Sequence, residues 1–481
     1  MEISVDVAGA GSSQQVQVRA GSARRWVLAL GSVTSFLVGL DALVVATALP
    51  TLHQEYGGGV EVLGWTVDAY QLAFAVSILT GATLGDRFGR RQMFVCGVLV
   101  FTAASALCAL SPTVGVLLAA RAAQGVGGGL AVPLSVALII DAVLPQERGR
   151  ALGLWGAVTG VAVAAGPLVG GAVVEGLAWQ WIFWLNVPVG ALLAALAWWR
   201  IHESARSFTS RVDLAGVVLA TAGVLAIAQA LIRGESAGWS SASVAGGLLG
   251  GALILAGFVV WERRTPRPMM PTALFASRGL AAGCVTGFGL MAGVFGFGFL
   301  TAQYLQLGLG YSPLGVGLRL LPATGMALAV SPLAGRLADR VGDRPLVTLG
   351  LGLQAVGLLL LGVVVSHNSG YGTIVGPLLL TGIGIAVAFP TIASAVMRSV
   401  PLTQTAIASG VSNTFRQVGA VFGVALATAV FATAGSYRTP GEFVDGLRPA
   451  FVALSAVCAV SAALGVLIWR SDRTTAPAQI T

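Results

Sequence analysis

The chain has 481 residues, of which 56% are hydrophobic and only 10% are charged. A typical soluble domain carries about 25% charged residues, so a water-soluble protein of this length is excluded, as are disorder, a disulfide scaffold and collagen. The net charge of +8 comes from arginine alone and forms no basic face of the kind that nucleic acid requires. The composition therefore predicts a polytopic membrane protein.

Fourteen apolar segments are long enough to cross the hydrocarbon core, which requires about 20 mostly apolar residues. Breaks that contain Gly, Pro and charge separate them. Backbone polar groups in lipid must bond within the segment, so helices are the structure expected for runs of this length. The predicted spans are 26–49, 63–84, 92–110, 113–140, 151–174, 181–199, 213–232, 243–261, 279–304, 313–335, 345–366, 372–396, 405–434 and 449–469.

The placement of arginine predicts the orientation of these spans. If both chain ends are cytoplasmic, 21 of the 27 arginines lie on the cytoplasmic side, and only Arg233, Arg438 and Arg448 lie outside. This distribution satisfies the positive-inside rule, and an odd number of spans would not. The first apolar run exceeds the roughly 7–15 residues of a signal peptide, so we expect it to be uncleaved. We predict a multi-pass protein of the cell (plasma) membrane with cytoplasmic tails 1–25 and 471–481.

Two acids fall inside the predicted spans, Asp41 in the first and Asp68 in the second. An ionised carboxylate at the membrane midplane costs roughly 2.5–3.5 kcal/mol on insertion scales, and desolvation favours its neutral form. Each is therefore a candidate proton carrier that could also attract a cationic substrate. The alternative for each is a structural hydrogen bond to a neighbouring helix. Asp68 lies close enough to the outer end for a position in a vestibule.

Two loops share the pattern L-[small]-D-R-x-G-x-R, namely residues 84–91 after the second span and 337–344 after the tenth. Two such matches at equivalent places indicate two homologous halves, and their separation leaves room for two additional helices. We therefore predict a first six-helix bundle at 26–200, two inserted helices with linkers at 201–278, and a second six-helix bundle at 279–470.

At these loops the chain resembles the major facilitator superfamily, and in particular its fourteen-span drug:proton antiporter branch. Segments 40–50, 65–70 and 412–417 resemble signatures of this branch, and Arg121 resembles the arginine motif of the fourth span. The signature loop corresponds to Gly85, Asp86, Arg87, Gly89, Arg90 and Arg91. The antiporter motif of the fifth span corresponds to Gly156, Gly160, Gly166, Pro167, Gly170 and Gly171.

The resemblance implies an all-α fold of two pseudo-symmetric six-helix bundles around a central cavity, with two extra helices between them. In the second loop, which contains Asp339 and Arg340, Asp343 replaces the first of the paired basic residues of the motif. We therefore expect the second loop to be more structural than switching.

Three arginines lie inside predicted spans and require a partner or a water-filled pocket, because guanidinium is always charged. For Arg121 the resemblance implies a role in proton relay or charge balance, and the alternative is a purely structural ion pair. For Arg319 and Arg416, packing and function are equally open. Asn413 lies in the same branch signature as Arg416 and joins it as a candidate interior residue.

The fifth-span glycines let helices approach closely and Pro167 bends the span, which predicts a seam between the halves that opens and closes. In the first loop, Asp86 is expected to cap a helix N-terminus, while the arginines bond helix C-terminal carbonyls across the interface between the halves. Orientation charges alone would explain the arginines but not Gly85 and Gly89 at fixed spacing. We therefore predict a gating loop.

These observations predict a proton-driven exporter of amphiphilic drugs or antibiotics that works by alternating access. Its expected partners are the small-molecule substrate, protons and the lipid bilayer, with no nucleic acid and no cofactor, and we expect a monomer. The sequence contains no P-loop, hydrolase elbow or metal-ligand cluster, so an enzyme is not expected. One alternative is proton-coupled uptake of a small organic nutrient, against which the fifth-span motif argues. Another is a non-transporting receptor, for which the interior charges would be needless.

Overall fold

The computed structural model describes residues 8–57, 60–144, 147–203, 213–238, 241–265, 268, 270, 272–366, 369–401 and 404–470, and every regular element in these ranges is helical. The α-helices are α1 (Ala8–Tyr56), α2 (Val60–Phe88), α3 (Arg90–Ala109), α4 (Val114–Ala142), α5 (Arg148–Gly176), α6 (Trp181–Trp184), α7 (Asn186–Arg200), α8 (Leu214–Ala237), α9 (Ala242–Arg264), α10 (Arg278–Gln303), α11 (Pro313–Val341), α12 (Asp343–Val364), α13 (Tyr371–Arg398), α14 (Thr405–Ala434) and α15 (Pro440–Arg470). A 3₁₀ turn at Thr272–Ala276 precedes α10, and a π-helical turn at Tyr304–Gly308 follows it. The all-α prediction is confirmed.

Twelve helical segments in the described ranges are long and apolar enough to cross a membrane, so the chain is a multi-pass membrane protein. Each of the fourteen predicted spans coincides with a helix, and the sixth is formed by α6 and α7 together. The two predicted spans outside the twelve are α2 and α8. The apolar part of α8 in the described ranges is short, Ala215–Leu231.

The two repeated loops have the same backbone geometry. Gly89 between α2 and α3 has φ 109°, and Gly342 between α11 and α12 has φ 89°. The backbone N–H of each glycine donates to the carbonyl oxygen four residues earlier, that of Gly85 or Ala338, at 2.9 Å in both loops. Positive φ is the region in which glycine carries no steric cost, so the shared sequence pattern encodes the same sharp reversal twice.

Helices α8 and α9 form a pair, and α8 also packs against helices that come before and after it in sequence. The members of the pair contact each other closely, because a Cβ at Gly251 of α9 would lie 2.6 Å from the side chain of Ile227 of α8. On its other side, Ala228 of α8 forms a buried apolar cluster with Leu72 of α2 and Val421 of α14. Helix α8 therefore covers the line along which α2 and α14 meet.

Helices α1–α7 and α10–α15 meet along α5 and α11 as well, and this seam is tight at one end. A Cβ at Gly171 would collide with the carbonyl oxygen of Pro313, and one at Gly317 would lie 2.6 Å from the carbonyl oxygen of Pro167. Eleven residues are about three helical turns, or roughly 16 Å, so Gly160 lies on the same face of α5 as Gly171. A Cβ at Gly160 would meet no described atom within 4 Å. The described glycines of the seam are therefore tightly packed at this end, whereas Gly160, which lies toward the end that carries loop 84–91, has no such close contact among the described atoms.

Candidate functional site

A buried ion pair joins the first and fourth helices. Nη1 of Arg121 donates to Oδ2 of Asp41 at 2.6 Å, and both side chains are 0% exposed. The other oxygen of Asp41 accepts from Nε2 of Gln124 at 2.9 Å and from Nδ2 of Asn186 at 2.8 Å. Both amides also donate to the Ser105 hydroxyl, at 3.1 and 3.0 Å. The carboxylate thus links α1 to α4 and α7, and the two amides extend the network to α3.

The guanidinium of Arg121 is surrounded on its remaining sides. Its Cζ lies 4.3 Å from the ring centroid of Tyr70, and its Nε donates to the Thr66 carbonyl at 3.2 Å. Its Nη2 is buried and has no hydrogen-bond partner among the described residues. Because a buried charge that loses its partner is left uncompensated, Arg121 and Asp41 depend on each other.

The sequence identified the two charges of this network but not its polar members. Gln124 lies three residues after Arg121, a spacing that places two side chains on the same face of a helix. Asn186 is a polar residue within a predicted span. Both signals were present in the sequence. Neither indicates by itself that the amides converge on the carboxylate of another helix.

In this conformation Asp68 lies in the seam between the two sets of helices and not in a vestibule, the position that its place near the outer end allows. Its side chain is 0% exposed, and neither carboxylate oxygen has a hydrogen-bond partner among the described residues. One turn before it, a Cβ at Gly64 would lie 3.1 Å from Oγ1 of Thr428; one turn after it, Leu72 packs against Val421. Asp68 therefore shares the α2 face that is covered by α14.

The arginines of the first loop bind within the first set of helices rather than across the interface, which corrects the prediction. Arg90 contacts Asp86 at 2.8 Å and Asp141 of α4 at 2.6 Å. Nη1 of Arg91 lies 3.4 Å from two carbonyl oxygens at the C-terminal end of α7. The amide of Arg91 donates to Glu203 at 3.0 Å. Asp86 thus pairs with an arginine one turn later; its predicted role as a helix N-cap stays a prediction.

Steric crowding explains why glycine occupies two positions of this loop. A Cβ at Gly85 would collide with the Leu134 side chain, and one at Gly89 would lie 2.7 Å from the carboxyl carbon of Glu203. Arg87 is exposed. The spacing of the motif therefore serves the packing of α2, α3 and α4 as well as the charges.

In the second loop, Asp339 pairs with Arg398 of α13, and Asp343 lies 3.9 Å from the same guanidinium. Arg340 is exposed. The acidic replacement at Asp343 thus lies beside a basic residue of the neighbouring helix. Its structural rather than switching role stays a prediction.

The fifth-span motif divides into a packed part and an open part. The packed glycines are Gly166 and Gly170, which face α1, and Gly171, which together with Pro167 faces α11. At Gly156 and Gly160 a Cβ would meet no described atom within 4 Å. Close helix approach is therefore correct for the second half of the motif and wrong, in this conformation, for the first half.

The two interior arginines of the second half, Arg319 and Arg416, have no acidic partner among the described residues. Nη2 of Arg416 donates to Oδ1 of Asn413 at 3.1 Å, and its Cζ lies 5.2 Å from the ring centroid of Phe389. Nε of Arg416 is buried and unpartnered in the described part of the chain. Arg319 lies 3.4 Å from the ring centroid of Tyr311 and donates to a main-chain carbonyl one turn earlier. Arg319 is thus held by aromatic packing, whereas Arg416 is bonded to one neutral amide.

Comparison with known proteins gives a family and relatives along most of the chain. The family model described as "Major Facilitator Superfamily" matches residues 31–424 and, again, residues 283–480. The "Multidrug resistance protein Stp" of Mycobacterium tuberculosis is 37% identical over 399 residues, which cover 82% of this chain and 74% of that protein. The puromycin resistance protein of Streptomyces alboniger is 36% identical over 461 residues, which cover 93% of this chain and 91% of the relative.

Solved structures show the same fold at low sequence identity. A crystal structure of a POT family transporter with a thioalcohol-conjugated peptide matches with a TM-score of 0.69 at 14% identity. The match covers 95% of this chain and 97% of that one. At this identity the likeness concerns the arrangement of the helices and not the ligand.

Proposed function

The chain belongs to the major facilitator superfamily, and on that premise we propose that it exports amphiphilic drugs or antibiotics in exchange for protons. Membership of this family makes it a transporter rather than an enzyme. The names of its relatives, which include multidrug and puromycin resistance proteins, support efflux of drug-like molecules. The observation that carries the proposal is Asp68, a carboxyl that has no hydrogen-bond partner among the described residues and is enclosed in the seam that must open during transport.

The proposed topology has fourteen spans in the plasma membrane, with both termini in the cytoplasm, and a monomer as the working unit. It adds α2 and α8 to the twelve apolar segments. α2 is supported by its burial between α4 and α14, and α8 by its packing along the line where α2 meets α14. The excess of arginine at the loop 84–91 end supports the orientation. The domains 26–200, 201–278 and 279–470 follow from the same topology.

In this orientation the conformation is open toward the cytoplasm. The contacts between the two bundles lie at the outer end, where Gly171 meets Pro313 and Nε2 of Gln306 donates to the Thr47 carbonyl at 2.9 Å. The faces of Gly156 and Gly160 line the open side. Transport then requires the outer contacts to separate while the inner ends of α5 and α11 approach.

Asp68 couples this movement to protons. A carboxylate without a partner is disfavoured in a dry seam, so the closed outer seam favours the protonated form of Asp68. When the seam opens outward, water stabilises the ionised form, and the group can exchange its proton with the outside. Protonation from outside then favours closure, and loss of the proton toward the cytoplasmic side allows the seam to open with bound substrate. The pair of Asp41 and Arg121 holds the first bundle together during this cycle.

Inverted membrane vesicles test the proposal. With the cation ethidium and the anion 1-anilinonaphthalene-8-sulfonate as separate probes and an acid interior, the wild-type chain should accumulate at least one of the two in the vesicles, and a protonophore should abolish the accumulation. Asp68→Asn should remove the response to the gradient, whereas the exposed-site control Glu442→Gln should not. Gradient-independent accumulation, or movement of a probe with the proton instead of against it, would refute antiport and favour uptake.

A further inference from the structure

Arg416 is a cation at membrane depth whose polar neighbour in the structure is a neutral amide. It lies within the apolar span Ile407–Ala434. Its stem passes Gly287 of α10, where a Cβ would lie 3.0 Å from Cγ of the arginine, and its guanidinium is next to the Phe389 ring of α13. A guanidinium inside hydrocarbon is expensive unless it is paired or hydrated. The position therefore needs a counter-charge or an opening to water.

The described residues offer no such counter-charge. The acids described in the second set of helices lie near helix ends: Asp339, Asp343, Glu442 and Asp445. The two acids described inside first-bundle spans are Asp41 and Asp68. Asp41 is committed to Arg121, Asp68 is enclosed by α14, and both are 0% exposed. A carboxylate that could bind a cationic drug in this conformation is thus not accessible in the described part of the membrane-spanning region.

The groups around Arg416 are donors. Asn413 uses its oxygen to accept from Nη2 of Arg416, which leaves its Nδ2 hydrogens for another acceptor. Nε of Arg416 has no partner among the described residues, and the planar guanidinium presents several donors in one fork. We propose that Arg416 and Asn413 form a subsite for an oxyanion, with Phe389 against the apolar body. The substrates of this exporter therefore carry a carboxylate, sulfonate or similar group.

This inference rests on the proposed function and specifies its substrate class. Substrate binding provides the counter-charge that the second bundle lacks. Fork-shaped guanidinium donors select planar oxyanions by paired, charge-assisted hydrogen bonds. A lysine at the same position would keep the charge but lose the fork. The arginine and lysine forms should therefore differ in affinity for an oxyanion and agree in affinity for a neutral compound.

Two probes that differ by one group test the subsite. 1-Anilinonaphthalene-8-sulfonate carries a sulfonate, and N-phenyl-1-naphthylamine has the same aromatic body without it. Equilibrium binding is measured on the purified full chain in lipid nanodiscs, above the binding to empty nanodiscs. Wild type should bind the sulfonate more tightly. Arg416→Gln should weaken sulfonate binding by about tenfold or more, as expected for loss of a charge-assisted contact, and leave the neutral probe unchanged.

The matched control is Arg448→Gln, an exposed arginine at the outer end, which should bind both probes as wild type does. Arg416→Lys should be intermediate for the sulfonate. Equal weakening of both probes by Arg416→Gln, equal affinity of wild type for both, or unchanged sulfonate binding would overturn the subsite. Gradient-driven transport of ethidium or of the neutral probe without a sulfonate preference would refute this inference while leaving the proposed function intact. Sulfonate binding that depends on Arg416, without gradient-driven transport of any probe, would refute the proposed function alone.

Discussion

Replacing Asp41 by asparagine removes the counter-charge that the described residues provide for Arg121, and the cost follows from the geometry. The carboxylate accepts three hydrogen bonds, from Arg121 at 2.6 Å, Asn186 at 2.8 Å and Gln124 at 2.9 Å. Asparagine keeps one oxygen as an acceptor, but its amide nitrogen replaces the other oxygen and would face side chains that also donate. Breaking a buried ion pair from one side costs about 3–5 kcal/mol. Asp41→Asn should therefore lower the free energy of unfolding by about that amount.

The double variant Asp41→Asn/Arg121→Gln separates charge loss from shape loss. It removes both charges, so no buried ion is left unpaired, and its stability should recover by more than half of the loss seen in Asp41→Asn. A double-mutant cycle on the two positions should then give a coupling free energy above about 2 kcal/mol, within the range for directly contacting groups. Thermal unfolding of the purified protein in detergent measures the four forms under identical conditions.

Transport gives the second readout of the same variants. Asp41→Asn should abolish proton-driven efflux in inverted vesicles while the protein stays in the membrane, because the pair that holds the first bundle together is broken. The reasoning would be refuted if the Asp41→Asn variant had the melting temperature of the wild type and cells that carry it had normal drug resistance. Equal destabilisation by the single and the double variant would refute it as well, because the loss would then come from packing rather than from charge.

Three further predictions concern the seam and the first loop. Asp68→Asn keeps the shape of an unpaired buried carboxyl, so the melting temperature should be unchanged or higher, while efflux measured across a pH series should lose its pH dependence. Gly171→Leu places a side chain against the Pro313 carbonyl, so the outer seam should fail to close. An engineered cysteine on that face of α5 should then become reactive to an impermeant thiol reagent added from outside. Unchanged labelling of this cysteine would contradict the prediction. Gly89→Ala forces alanine to φ 109° beside Glu203 and should destabilise the chain by about 1–2 kcal/mol, measured by thermal unfolding.

Hydropathy and charge were sufficient to predict the helical architecture, because the requirement that backbone groups bond internally in lipid leaves few choices. All fourteen predicted spans are helical, although twelve segments meet the length and apolarity needed to cross a membrane. The charged members of the interior network, Asp41 and Arg121, were also predictable, since an ionisable residue in an apolar run requires a partner. The sequence allows a structural ion pair as one alternative for Arg121, but it does not identify Asp41 as the partner.

Contacts between distant segments could not be predicted from the sequence. Asp68 is eight residues from the start of its helix, so its depth suggested a vestibule, but α14 covers that face. The loop arginines were expected to reach the other bundle, whereas Asp141 and Glu203 of the same bundle lie closer. Sequence spacing fixes which face of a helix a residue occupies. It does not fix which helix packs on that face, or in which conformation of the cycle.

The pairing of Asp41 with Arg121 also has an electrical consequence. A transmembrane voltage does work of about 2.3 kcal/mol per elementary charge per 100 mV, and a pair of opposite charges in contact feels almost no net force. The membrane potential therefore does little net work on the ion pair of the first bundle. Its work falls instead on the exchanged hydrogen ion and on the cargo, so the net charge of the transported molecule determines how far voltage assists each turnover.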